Sequence, residues 1–216
     1  MLGKPKQNSG ELIILKIKAQ DAEKHQVPVH FEITRKVNGE WVKTGETKDL
    51  SGRLSKVEPY VREYEGVESP LVKLYFRDDA ADETYLVDCR YNRVSRSLFN
   101  SILGLKTFDD VEVSLWDAKG KGASEGKTFP SVSVRQKGER VEWKFAPDDL
   151  PKPEKAKVGK KEITSFDALN DFFVEELKAL SIRVHSDHSS RPVEPAKAKP
   201  VVEEPEVEPA EDEIPF

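Results

Sequence analysis

VEPYVREYEGVESPLVKLYFR, residues 57–77, is the stretch on which the fold turns. Tyr60, Arg62 and Tyr64 lie on one face of its first half, opposite Val57 and Val61. In its second half Val72, Leu74 and Phe76 alternate with Lys73, Tyr75 and Arg77. Alternation with period two and one apolar face marks a half-buried antiparallel strand. Gly66-Val67-Glu68-Ser69-Pro70 can join the two halves as a hairpin, so the two polar triplets can share one surface.

The same pattern repeats on both sides of this hairpin. Ile13, Leu15 and Ile17 alternate with Leu12, Ile14 and Lys16, and Val29, Phe31 and Ile33 with His30, Glu32 and Thr34. Tyr85, Val87 and Cys89, then Val111, Val113 and Leu115, continue it. Val132 and Val134 face Val141, Trp143 and Phe145 across a Lys137-Gly138-Glu139 turn. One helix interrupts the strands at Val94–Gly104, with Ser95 or Ser97 as its cap and Gly104 at its end. A strand meander, a short helix and further strands match the order of an OB-fold, a five-stranded Greek-key barrel. The expected class is therefore mainly β: an OB-fold-like small antiparallel barrel with one internal helix.

The chain divides further along its length. A strand-rich body spans residues 1–145, a Pro/Lys linker 146–163, a helix 164–183 and a disordered acidic tail 184–216. Thr164 is the expected N-cap of the late helix, and Phe166, Leu169, Phe173, Leu177 and Leu180 form an amphipathic stripe. Such a stripe either packs on the body or serves as a docking helix, and packing is the commoner use.

Composition excludes several classes. Charged residues make up 35% of the 216 residues, above the ordinary share of about 25%, so part of the chain lies outside a packed core. The longest aliphatic run, Leu12–Leu15, is too short to span a membrane, and the polar N-terminus lacks a secretion signal. With one cysteine, Cys89, no internal disulfide can form, which points to a reduced, cytoplasmic setting. His25, His30, His185 and His188 have no metal-ligand spacing, and Gly120–Thr128 misses the spacing of a phosphate-binding loop. No catalytic residue, metal or cofactor is expected.

Charge is unevenly distributed. Residues 1–161 carry 30 Lys+Arg against 26 Asp+Glu, whereas residues 201–216 carry no basic residue and 7 acidic ones. A mildly basic body with aromatics on polar strand faces suits nucleic acid. Trp41, Tyr60, Tyr64, Tyr75 and Trp116 are the candidate base-stacking residues, with stacking worth about 1–3 kcal/mol per base. Lys43, Arg62, Lys73, Arg77 and Arg90 are the candidate phosphate contacts. The competing reading places these aromatics under loops or at a dimer interface.

The chain ends Glu211-Asp212-Glu213-Ile214-Pro215-Phe216. Exposed Ile and Phe gain nothing in a solubilising tail. As an anchor, the ring fills a pocket and the carboxylate meets a basic lip, while upstream acids steer the approach. This ending resembles the C-terminal tip of bacterial and bacteriophage single-stranded DNA-binding proteins, which read acidic-acidic-Ile-Pro-Phe. The resemblance covers about six residues and the layout of body, linker and tip. It implies a barrel that holds single-stranded DNA without strong sequence preference during replication, recombination and repair. It also implies a tip, Asp212, Glu213, Ile214, Pro215 and Phe216, that recruits partner enzymes. The long strand zone and extra helix differ from the bacterial housekeeping form and favour a divergent phage version, monomeric or homodimeric. The alternative is a protein that mimics the tip and binds repair enzymes without binding DNA.

Overall fold

In the computed structural model, which describes residues 11–18, 29–120, 125–158 and 161–189, the 57–77 stretch folds as a hairpin. Its strands are β4 (Asp49–Tyr64) and β5 (Val67–Asp78). Register shifts between Leu54 and Lys56, so Leu54 and Val57 both face inward although their spacing is odd. That bulge places Lys56, Glu58 and Tyr60 together on the outward face, opposite Tyr75, Lys73 and Leu71.

Seven further strands extend this hairpin: β1 (Glu11–Lys18), β2 (His30–Val37), β3 (Glu40–Thr47), β6 (Glu83–Arg90), β7 (Val111–Lys119), β8 (Thr128–Gln136) and β9 (Glu139–Arg140). They form one sheet in the order β3-β2-β1-β6-β5-β4-β7-β8-β9. Every neighbouring pair is antiparallel except β1 with β6, which is parallel.

The fold is mainly β, as expected, but the expected antiparallel barrel does not form. The sheet is mixed and open, with β3 and β9 at its edges. Alternation reports which face of a strand is buried and not which strand is its neighbour. Here β1 occupies the edge of β6 that a closing strand would need. The sheet nonetheless curls, so that the Val29 N–H just before β2 donates to the Asp117 carboxylate near the end of β7 at 3.3 Å.

The curl encloses a single core. Ile13, Leu15, Phe31, Leu54, Val72, Leu74, Phe76, Val87, Val111, Val113 and Leu115 line it from the strands. Helix α1 (Arg93–Leu103) plugs one end through Val94, Leu98, Phe99 and Ile102. Its N-cap is Asn92, whose side chain accepts from the Ser95 N–H at 2.9 Å, so neither expected serine caps it. Gly104 does end the helix. A Cβ there would lie 2.5 Å from the Glu142 carbonyl oxygen, which fixes the residue type.

The late helix, α2 (Asp167–Ser189), packs on the body. Phe173, Leu177, Leu180 and Val184 are buried, and burial is worth about 1.5–3 kcal/mol for each such side chain. Ser181 Oγ donates to the Val57 carbonyl at 2.6 Å, and Arg183 to the Leu105 carbonyl at 3.0 Å. The helix starts three residues later than expected. Thr164 belongs to a strand, and Ser165 Oγ accepts from the Asp167 N–H at 3.2 Å. It also continues past residue 183, so the expected tail boundary at 184 falls inside it.

Two other segments differ from expectation. Val141–Phe145 is not a strand beyond Arg140. Asn100 on α1 holds it instead, accepting from the Phe145 N–H and donating to the Phe145 carbonyl, both at 2.9 Å. The segment expected to be a linker contains a two-stranded antiparallel pair, β10 (Glu154–Val158) with β11 (Lys161–Ser165). Among the described residues no helix is long and apolar enough to cross a membrane.

Candidate nucleic-acid interface

The outward face of the sheet is built row by row from the register. One row runs Lys56–Tyr75–Leu86–Ile14–Thr34–Lys43 across β4, β5, β6, β1, β2 and β3. The next holds Glu58, Lys73 and Asp88, and beyond it lie Tyr60, Leu71 and Arg90. Residues directly opposite in register share a face. The two triplets read from the hairpin therefore do meet on one surface.

The tyrosines lie across this surface. Tyr60 extends from β4 over β5, and its hydroxyl donates to Asp88 Oδ1 on β6 at 2.9 Å. The Tyr75 hydroxyl reaches back from β5 to Glu58 Oε2 on β4 at 3.0 Å. Leu71, opposite Tyr60, is buried although it points away from the core. Lys73 Nζ sits 4.3 Å from the Tyr60 ring centroid, and Lys56 Nζ 5.2 Å from that of Tyr75. Each ring thus combines a π-face, an adjacent ammonium and a carboxylate tether at its hydroxyl.

Burial first, then the carboxylate partner, pushes both tyrosine hydroxyls up to about 12. They remain protonated donors at neutral pH. The Lys56 ammonium, and after it the Tyr75 hydroxyl, hold the Glu58 carboxyl below the usual carboxylate range. A carboxylate kept ionised and a hydroxyl kept protonated make a charge-assisted hydrogen bond.

The remaining sequence candidates are placed as follows. Trp41 and Lys43 share the face on β3, with Trp41 46% exposed. Lys43 is engaged by Glu46 at 2.6 Å and Glu32 at 3.8 Å. Arg77 is on the face but bound to its own turn, through Asp79 at 3.3 Å, Asp82 and Thr84. Arg62 and Arg90 are exposed, opposite Ser69 and Leu71. Tyr64 pairs with Val67 beside the hairpin turn, and its side chain lies outside the described residues. Trp116 is on the outward side of β7, 48% exposed, beyond the last β4 pairing. Asp212, Glu213, Ile214, Pro215 and Phe216 also lie outside the described residues.

Sequence reasoning missed Lys56, Glu58 and Asp88. Lys56 and Glu58 sit four and two residues before Tyr60, so carrying the alternation backwards reaches them. Asp88 joins the site only through the β5–β6 register, which a single strand does not reveal. Among the described residues no group of three or more His, Cys, Asp or Glu side chains is arranged to hold a metal ion. Comparisons with family models, with curated proteins and with solved structures return no match for this chain.

Proposed function

We propose that this protein binds single-stranded DNA on the outward face of β4, β5 and β6, with little sequence preference, and recruits replication, recombination or repair enzymes through its acidic Ile-Pro-Phe tip. The observation that carries the reading is the pair of tethered tyrosine rings with lysines beside them. A stacked base covers an aromatic face, and any base can do so. Lys56, Lys73, Arg62 and Arg90 supply cations for the phosphates between stacked bases.

The strand order supports an OB-like reading of part of the sheet. Strands β4 to β8 neighbour one another as β6-β5-β4-β7-β8, with α1 between β6 and β7. In an OB-fold the second and third strands carry the oligonucleotide face. By this order they are β5 and β6, which hold Lys73, Tyr75 and Asp88. Strands β1, β2 and β3 then widen the face by about 4.8 Å per strand and bring Trp41 to its far side.

The test is a competition of labelled oligo-dT against duplex DNA, read by fluorescence anisotropy over a salt series. The expected result is preference for the single strand, with affinity falling by about 0.7 log units per log unit of salt for each phosphate neutralised. Equal affinity for duplex, or a salt-independent signal, contradicts the reading. Partner binding with no DNA binding selects the tip-mimic alternative.

A further inference from the structure

Glu58 and Asp88 stand in the middle of the proposed DNA-binding face, with Glu32 and Glu46 on β2 and β3 of the same face. Electrostatics alone makes Asp88 and Glu58 unfavourable there, since like charges facing one another repel. Yet each accepts the hydroxyl of a tyrosine from a different strand: Tyr60 to Asp88 at 2.9 Å, Tyr75 to Glu58 at 3.0 Å. The two bonds run in opposite directions across the β4–β5–β6 ribbon. Each fixes a ring that would otherwise swing about its χ angles at a half-exposed site.

We infer that Asp88 and Glu58 are positioning residues, which hold the Tyr60 and Tyr75 rings across the sheet as preformed stacking surfaces. This inference rests on the DNA-binding reading above. A ring already held in its bound orientation loses less conformational freedom when a base stacks on it. Lys73 is the cross-strand neighbour of Asp88 and lies over the Tyr60 ring, so the carboxylate, the ring and the ammonium form one unit. In the complex the ammonium exchanges the ring for a phosphate, and the carboxylate keeps the ring in place.

The sign of one mutation separates this role from a charge effect. Deleting an acidic group from a DNA-binding face strengthens binding if only charge matters. Deleting a positioning carboxylate weakens it. The experiment measures oligo-dT affinity of the full chain for Asp88→Ala, Asp88→Asn, Tyr60→Phe and the Tyr60→Phe/Asp88→Ala double variant. Thermal unfolding verifies that each is folded. Glu46→Gln removes a carboxylate that pairs with Lys43 and His30 on the same face and touches neither tyrosine, so it reports the loss of a carboxylate without the loss of a tether.

Asp88→Ala and Tyr60→Phe are each expected to weaken binding by about three- to tenfold. The double variant is no weaker than the worse single one, because both remove the same bond. Asp88→Asn keeps an acceptor and stays within about twofold of the wild type, the range a minor loss of hydrogen-bond strength covers. Glu46→Gln binds equally or more tightly. Tighter or unchanged binding by Asp88→Ala overturns the inference and leaves DNA binding standing. Weakening by Glu46→Gln as well overturns it too, since the loss is then not specific to the tether. No binding of oligo-dT by the wild-type chain overturns both this inference and the functional reading.

Discussion

Tyr75 and Tyr60 carry the account at the residue scale. Tyr75→Ala removes a ring in the central strand of the face, and the expected cost is about 1–3 kcal/mol of binding, or roughly five- to 150-fold in affinity, measured with oligo-dT. An affinity within twofold of the wild type, by the same conversion, places the DNA elsewhere. The same hydroxyls set a pH dependence of stability. An unfolded tyrosine titrates near pH 10, whereas Tyr60 and Tyr75 in the fold titrate near 12. Between these values the unfolded chain has released protons that the folded chain retains. The stabilisation is therefore full below about pH 10 and is lost as pH rises through 12. Denaturant midpoints between pH 9 and 12 are expected to fall, and more shallowly in Tyr75→Phe. A variant with the wild-type slope shows that this hydroxyl is not shifted. Tyr60, Lys73 and Tyr75 were legible in the sequence as an outward-facing set. Their tethers were not: Tyr60–Asp88 joins β4 to β6 and Tyr75–Glu58 joins β5 to β4, and both depend on a register that no local pattern encodes.

Strand β4 is the element that organises the sheet. Its first residues, Asp49 to Gly52, pair with β7, and from Arg53 onward it pairs with β5. Gly52 sits at the changeover with φ +155°, and a Cβ there would lie 2.9 Å from the Arg77 carbonyl oxygen. Gly52→Ala is expected to destabilise the fold by about 1–3 kcal/mol, read from the denaturant midpoint, because backbone must move to admit the methyl group. A neutral effect means the two pairings adjust independently. Helix α2 is the second organising element. Phe173 is fully buried against Phe99 and Phe172, and Phe173→Ala is expected to cost about 3–5 kcal/mol. A loss below about 1 kcal/mol, the range of surface substitutions, shows that α2 adds little to the body. The helix stripe was readable from spacing alone, and so were the seven alternating segments that became β1, β2, the second half of β4, β5, β6, β7 and β8. The bulge at Ser55, the Asn100 clasp on Phe145 and the β10–β11 pair were not. Each arises from a tertiary contact or a turn that periodicity does not carry.

For the whole molecule, the mainly β class followed from alternation, while the closed barrel was an extrapolation from chain order. The parallel addition of β1 to β6 leaves an open nine-stranded sheet and lengthens the outward face. Four strand spacings separate β5 from β3, so Tyr75 and Trp41 stand about 19 Å apart across the sheet. Trp41 stands two residues along β3 from Lys43 in the row of Tyr75, whereas Trp116 lies on β7 beyond Asp49, toward the opposite end of β4 from Tyr60. The third tryptophan, Trp143, is exposed on the segment after β9 and belongs to no row of this face. That division gives the most direct test of the central claim. Oligo-dT is titrated into the wild-type chain and into Trp143→Phe at low and moderate salt, following intrinsic tryptophan fluorescence. The account predicts salt-sensitive quenching that survives Trp143→Phe, because Trp41 reports contact on the face. Absence of quenching, or quenching abolished by Trp143→Phe alone, would contradict it.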